Sequence, residues 1–278
     1  MKKQTLYIIF GVVVFTLACS LGTPIAPTQP QRNQVETVVA GTMQALTQNA
    51  PQGTRVSFED VSLLIPTALG TGANTKKTDD IEYPPCANPS CVYPAEVMPQ
   101  HIVFTINGYP LAREAWVAVF NAAEYAGIDE HFSATISDLR SLKGGLGTIP
   151  DSLTSRFAAG VHAMNFQDGY GFRYLTQMND APMPINNERL FYYFKGLTDD
   201  GTYFVMAILP ITAPMLAEDG KPEAPIPAGG VPFPAGGMGD EAYYTSVTEK
   251  LNALPPDSYT PSLNALDLLI ESLLVTNP

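Results

Sequence analysis

The chain has 278 residues, with 15 Lys and Arg against 27 Asp and Glu, for a formal net charge of −12 at pH 7. This balance excludes a phosphate-backbone binder, because that function needs clustered cations that release counterions and no Lys/Arg stripe exists here. A hydrophobic content of 45% with 13 Tyr and 13 Phe excludes wholesale disorder, and 25 Pro with 22 Gly imply many loops.

Met1-Lys2-Lys3 is a short cationic start, followed by an apolar stretch from Leu6 to Leu17 and then by Ala18-Cys19. The layout is that of a secretory signal. Twelve apolar residues at a helical rise of about 1.5 Å cover only about 18 Å, short of the ~30 Å hydrocarbon core, so a permanent transmembrane helix is the weaker reading. The small Ala18 directly before Cys19 resembles the lipobox of bacterial lipoproteins, although Thr16 and Leu17 depart from its commonest form. That resemblance covers about twenty residues and implies removal of residues 1–18, diacylation of Cys19 and a place on the extracytoplasmic face of a membrane. Two or three acyl chains anchor stably where one binds only marginally. The membrane is thus an expected partner through the lipid alone, since an anionic body has no attraction for anionic headgroups.

If Cys19 carries lipid, Cys86 and Cys91 remain, in the run Pro-Pro-Cys-Ala-Asn-Pro-Ser-Cys. Four intervening residues in a proline-rich turn, in an oxidising compartment, favour a local disulfide; free thiols and a metal or redox site are the alternatives. Zinc would need two further ligands, and His101, His131 and His162 have no close paired spacing.

Residues 19–34 are polar and proline-rich and read as a tether. Val35, Val38, Val39, Met43 and Leu46 recur at spacings of three and four, so 35–48 reads as a short amphipathic helix. Its apolar stripe suits docking or a small coiled coil better than a membrane interface, because Glu36 is its only charge. Residues 52–278 read as one extracytoplasmic α+β domain.

Within that domain, Arg55–Phe58 and Val61–Ile65 are short β-prone runs, and 67–100 is a long irregular segment. His101–Ile106 and Trp116–Phe120 are two more strands. Ile136, Leu139 and Leu142 have helical spacing with Ser133 as the expected cap. A hairpin is expected about Asp168-Gly169 in a mirror-image type I′ turn, joining Ala163–Gln167 to Tyr170–Gln177. A second joins Leu190–Phe194 to Tyr203–Leu209 through Thr198-Asp-Asp-Gly201. Its second strand is apolar at every position, so it should lie centrally in a sheet with both faces covered. Residues 218–240 hold five Pro and six Gly and suit a loop. Two helices close the chain, one carrying Tyr243, Val247 and Leu251, the other Leu263, Leu266, Ile270 and Leu273 after a Thr260-Pro261 cap. The expected fold class is α+β, a mainly antiparallel sheet with a few packing helices.

No nucleophile elbow, zinc-protease helix, phosphate loop or dinucleotide fingerprint occurs in the sequence, so no catalytic residue, metal or cofactor is assigned. Asp199-Asp200-Gly201 lacks the alternating ligands of a calcium loop and reads as a turn. Asp129-Glu130-His131 reads as a solvated loop, and His101 and His162 as structural histidines. Tyr170, Phe172 and Tyr174 alternate on one strand, and Tyr192 and Phe194 on another; exposed and aligned, the five rings would make a stacking platform for sugars or peptides, with core packing as the competing reading. The expected function is a membrane-anchored binding or interaction module with no catalytic activity, and the alternative is a cell-envelope hydrolase acting on wall or polysaccharide material.

Overall fold

Tyr203–Pro210 (β11) supplies the axis of the fold, because an unbroken apolar run is stable only where both of its faces are covered. In the computed structural model it is the middle strand of a seven-stranded antiparallel sheet. The sheet runs in the order Gly72–Thr78 (β3), His101–Asn107 (β6), Trp116–Asn121 (β7), β11, Phe191–Thr198 (β10), Gly169–Thr176 (β9) and Ala159–Phe166 (β8). A smaller antiparallel sheet joins Gly53–Phe58 (β1), Val61–Pro66 (β2) and Leu274–Val275 (β12), and Ile81–Glu82 (β4) pairs with Val97–Met98 (β5). The structure describes residues 52–82, 97–143, 149–150, 153–154, 157–178, 183–221, 223–234 and 241–276. The chain divides into a unit of residues 1–50, which lies outside the described residues, and a unit of residues 51–278. The fold is α+β, with a mainly antiparallel sheet.

Alternation along each strand sends side chains to two separate cores. One face of the large sheet carries Phe104, Val117, Val119, Tyr192, Phe194, Val205, Ala207 and Leu209. The helices Glu241–Asn252 (α3) and Leu263–Glu271 (α4) pack here, through Tyr243, Val247 and Leu251 and through Leu263, Leu266, Leu269 and Ile270. Val61, Leu63 and Ile65 of β2 join the same cluster, and Ser272 at the end of α4 fastens the helix to the small sheet by accepting from the Leu64 N–H at 2.8 Å. The opposite face carries Phe120, Phe172, Tyr174, Phe191, Tyr193, Phe204, Met206 and Ile208, covered by Ala122–Ala126 (α1) and Glu130–Ser141 (α2).

Several sequence expectations are corrected. The segment 67–100 is not irregular throughout, for it contains β3, whose sequence Gly-Ala-Asn-Thr-Lys-Lys-Thr has no apolar alternation because it is an edge strand with little to bury. The first hairpin forms one residue earlier than expected. Phe166 pairs with Gly169, leaving Gln167 and Asp168 as the loop, and neither has positive φ, so the mirror-image turn is absent. Gly169 is needed for room instead: a Cβ there would collide with the Phe166 ring and the Leu197 carbonyl. By contrast Gly201 closes the second hairpin at φ +73°, with the Asp200 carboxylate accepting from the Thr198 hydroxyl at 2.6 Å and the Thr202 N–H at 2.9 Å.

Caps also move. Helix α2 is capped four residues before Ser133, with Asp129 accepting from the N–H groups of His131 and Phe132 at 2.8 and 3.1 Å, so the Asp-Glu-His run is a helix start and not a solvated loop. Helix α4 is capped by Ser262 rather than Thr260, and the Thr260-Pro261 peptide is cis. Replacing Asp129 with Ala leaves two helix-end donors without an acceptor and should cost about 1 kcal/mol. Thermal melts should show Asp129→Asn close to the parent chain and Asp129→Ala below it.

Candidate functional site

Of the residues singled out by sequence, Cys19, Cys86 and Cys91 lie outside the described residues. The five rings are described, and they form no exposed platform. Tyr170, Phe172, Tyr174, Tyr192 and Phe194 are all buried, at 7%, 0%, 1%, 0% and 0% exposure. Moreover they are divided between the two faces. The register sets Tyr192 opposite Leu175 and Phe194 opposite Arg173, and directly opposed residues share a face, so the β10 pair points toward α3 and α4 while the β9 trio points toward α1 and α2. Core packing is the outcome because each face of the sheet is covered by helices.

What alternation does place inside the molecule is charge. Arg173 on β9 faces the α4 side, where its guanidinium donates to Asp267 from Nε at 3.2 Å and from Nη2 at 3.3 Å. It also donates to the Gly160 carbonyl. Asp267 Oδ1 accepts a third bond, from the Tyr192 hydroxyl, at 3.0 Å. Burial, reinforced by the Asp267 charge, holds the Tyr192 hydroxyl far above the usual phenol range. A second cation, Arg113, is half-buried and donates to three carbonyls, Leu190 at 2.9 Å, Asn187 at 3.0 Å and Ile211 at 3.3 Å. Both arginines are therefore consumed in holding loops and helix to the sheet.

Lys195 is different. It stands on β10 with Phe191, Tyr193 and Leu197, facing α1 and α2, and is 9% exposed. Its Nζ donates one hydrogen bond, to the Leu153 carbonyl at 3.1 Å, and lies 5.0 Å from the centre of the Tyr193 ring and 6.0 Å from that of Tyr174. Among the described residues none of the three ion pairs includes it. Burial disfavours the ammonium, and its pKa is pushed down to about 8. Sequence reading missed this residue by ending the strand at Phe194. The available signal was the alternation Phe191, Tyr193, Lys195, Leu197, which puts a cation in the middle of an apolar row.

His101 is also buried, stacked on Phe120 with ring centres 4.7 Å apart, its Nδ1 2.8 Å from the Pro99 carbonyl oxygen. Burial lowers its pKa and favours the neutral ring. Among the described residues no group of three or more His, Cys, Asp and Glu is placed to hold a metal ion, and no helix is long and apolar enough to cross a membrane. No family model, curated protein or solved structure matches the chain.

Proposed function

We propose that this chain is a lipoprotein, anchored through acylated Cys19 on the extracytoplasmic face of a membrane, whose body serves as a non-catalytic binding or interaction module. The carrying observation is the run from Met1 to Cys19, a cationic start, an apolar stretch too short to span and a small residue before cysteine. Support for a non-catalytic body comes from how its buried polar groups are used. Arg173, Asp267 and Tyr192 bond to one another, and Arg113 bonds to three carbonyls, so these groups act as structural ties rather than as paired acids and bases in a cleft.

Metabolic labelling with a palmitate analogue tests the anchor. The parent chain should take up label and partition with membranes, and Cys19→Ala should lose both; unchanged labelling of Cys19→Ala overturns the assignment. Crosslinking in intact cells tests the module, with a reproducible partner expected. Release of soluble fragments from wall or polysaccharide material by the purified body would replace this reading with that of an envelope hydrolase.

A further inference from the structure

The chain contains one Asn-Gly step, Asn107-Gly108, and three Asp-Gly steps, at Asp168, Asp200 and Asp219. At such a step the glycine nitrogen can attack the side-chain carbonyl carbon of the residue before it and close a five-membered ring, because glycine has no Cβ to obstruct the approach. The fold restrains the three aspartates. The Asp168 carboxylate accepts from the Val275 N–H at 3.1 Å, and Gly169 is buried without room for a methyl group. Asp200 accepts from the Thr198 hydroxyl and the Thr202 N–H, while the Gly201 N–H donates to the Thr198 carbonyl at 2.8 Å. Asp219 accepts from the Lys221 N–H at 3.0 Å and from its Nζ at 2.6 Å. Each of the three also carries a negative charge that opposes a nucleophile.

Asn107 is placed differently. It is the last residue of β6 and half-buried, and Gly108 beyond it is exposed at φ +73°, where an added Cβ would meet no atom nearer than 3.7 Å. The Asn107 amide is neutral, and its Nδ2 donates to another side chain, Asn74 Oδ1, at 3.1 Å, on the exposed edge strand β3. The restraint on its main chain is Thr71, whose N–H and hydroxyl donate to the Asn107 carbonyl at 2.9 and 3.4 Å; Thr71 is itself exposed, so water can replace both bonds when the turn opens. We propose that Asn107 is a site of spontaneous covalent modification, deamidation through a cyclic imide. The Gly108 nitrogen gives up its proton and bonds to Asn107 Cγ, the Cγ–Nδ2 bond breaks, and the amide nitrogen leaves with that proton as ammonia. Water then opens the imide at either carbonyl, giving aspartate, or isoaspartate in which the main chain runs through Cβ. Water is the only co-reactant. The product gains a negative charge and loses the donor that ties the end of β6 to Asn74. This inference stands independently of the lipid anchor.

Ageing tests it. The purified full chain is held at 37 °C for four weeks at pH 7, 8 and 9, with and without urea. Its peptides are then quantified by mass spectrometry, using fragmentation that separates isoaspartate from aspartate. In the folded chain, conversion at Asn107 should run at least tenfold ahead of the other described asparagines and of isomerisation at Asp168, Asp200 and Asp219. It should rise with pH, because the attacking nitrogen must lose its proton, and should yield both acids. Gly108→Ala sets a methyl group beside that nitrogen and should slow conversion at least tenfold. Conversion at Asn107 no faster than at the other asparagines overturns the proposal, as does conversion seen only in urea, since the fold would then prevent ring closure. Aspartate as the sole product, or an unchanged rate in Gly108→Ala, overturns the imide route.

Discussion

Replacing Asp267 with Ala should cost about 3 kcal/mol, the lower end for breaking a buried ion pair, because Arg173 is then left without its anion while the Tyr192 hydroxyl loses its acceptor. The lower end applies because the Asp267 side chain keeps 18% of its exposure whereas that of Arg173 keeps 9%. For a unit of this size such a loss corresponds to a fall in Tm of roughly 6–12 °C. The physical cause is the surviving charge rather than the missing bonds. Removing both charges in Arg173→Met with Asp267→Ala should therefore recover much of the loss, as apolar replacements of buried pairs often do. Urea melts of the two single variants and the double variant measure the coupling directly. A loss below 1 kcal/mol for Asp267→Ala would mean that water reaches Arg173.

Lys195→Met should have the opposite sign. The methionine keeps much of the side-chain volume and removes a buried ammonium that has no counter-ion among the described residues, so stability at pH 7 should rise by on the order of 2–3 kcal/mol. The pH dependence follows from the lowered pKa. Below about pH 8 the lysine is charged in both folded and unfolded states, and the folded state bears the full desolvation penalty. As pH rises from 8 toward the ordinary lysine value, the unfolded chain holds a proton that the folded chain has already released, so the stability of the parent chain increases. The advantage of Lys195→Met should therefore shrink across that interval and vanish above it. Taking the difference between the two proteins matters, because Tyr174, Tyr192 and Tyr193 have raised pKa values and work the other way above about pH 10. A constant difference from pH 7 to 11 would show that the penalty is not one of charge.

The two buried cations show where sequence reading stops. Alternation correctly separates Tyr170, Phe172 and Tyr174 from Arg173 within β9, but it leaves open whether either set meets water. Nor does it relate β9 to β10, since a shift of one residue in pairing would have put Tyr192 and Phe194 on the face of the β9 trio. That register is held by room: Gly171 and Gly196 lie opposite each other, and the Phe194 ring occupies the space where their side chains would be. Asp267 could not be matched to Arg173 in advance, because 94 positions separate them. The edge strand β3 escaped for the converse reason, since a strand that buries little on either face leaves no apolar period to read.

Composition and periodicity alone determined the fold class, the central place of β11, the turn at Gly201 and the existence of both C-terminal helices. Each of these follows from a local property: where apolar side chains fall along the backbone, and which residues accept a turn. Only the tertiary structure decided which faces are covered, which rings share a core, that Arg173 has an anion and that Lys195 has none among the described residues. Those outcomes depend on contacts between residues far apart in the chain, and local periodicity carries no information about which distant element will arrive to cover a given face.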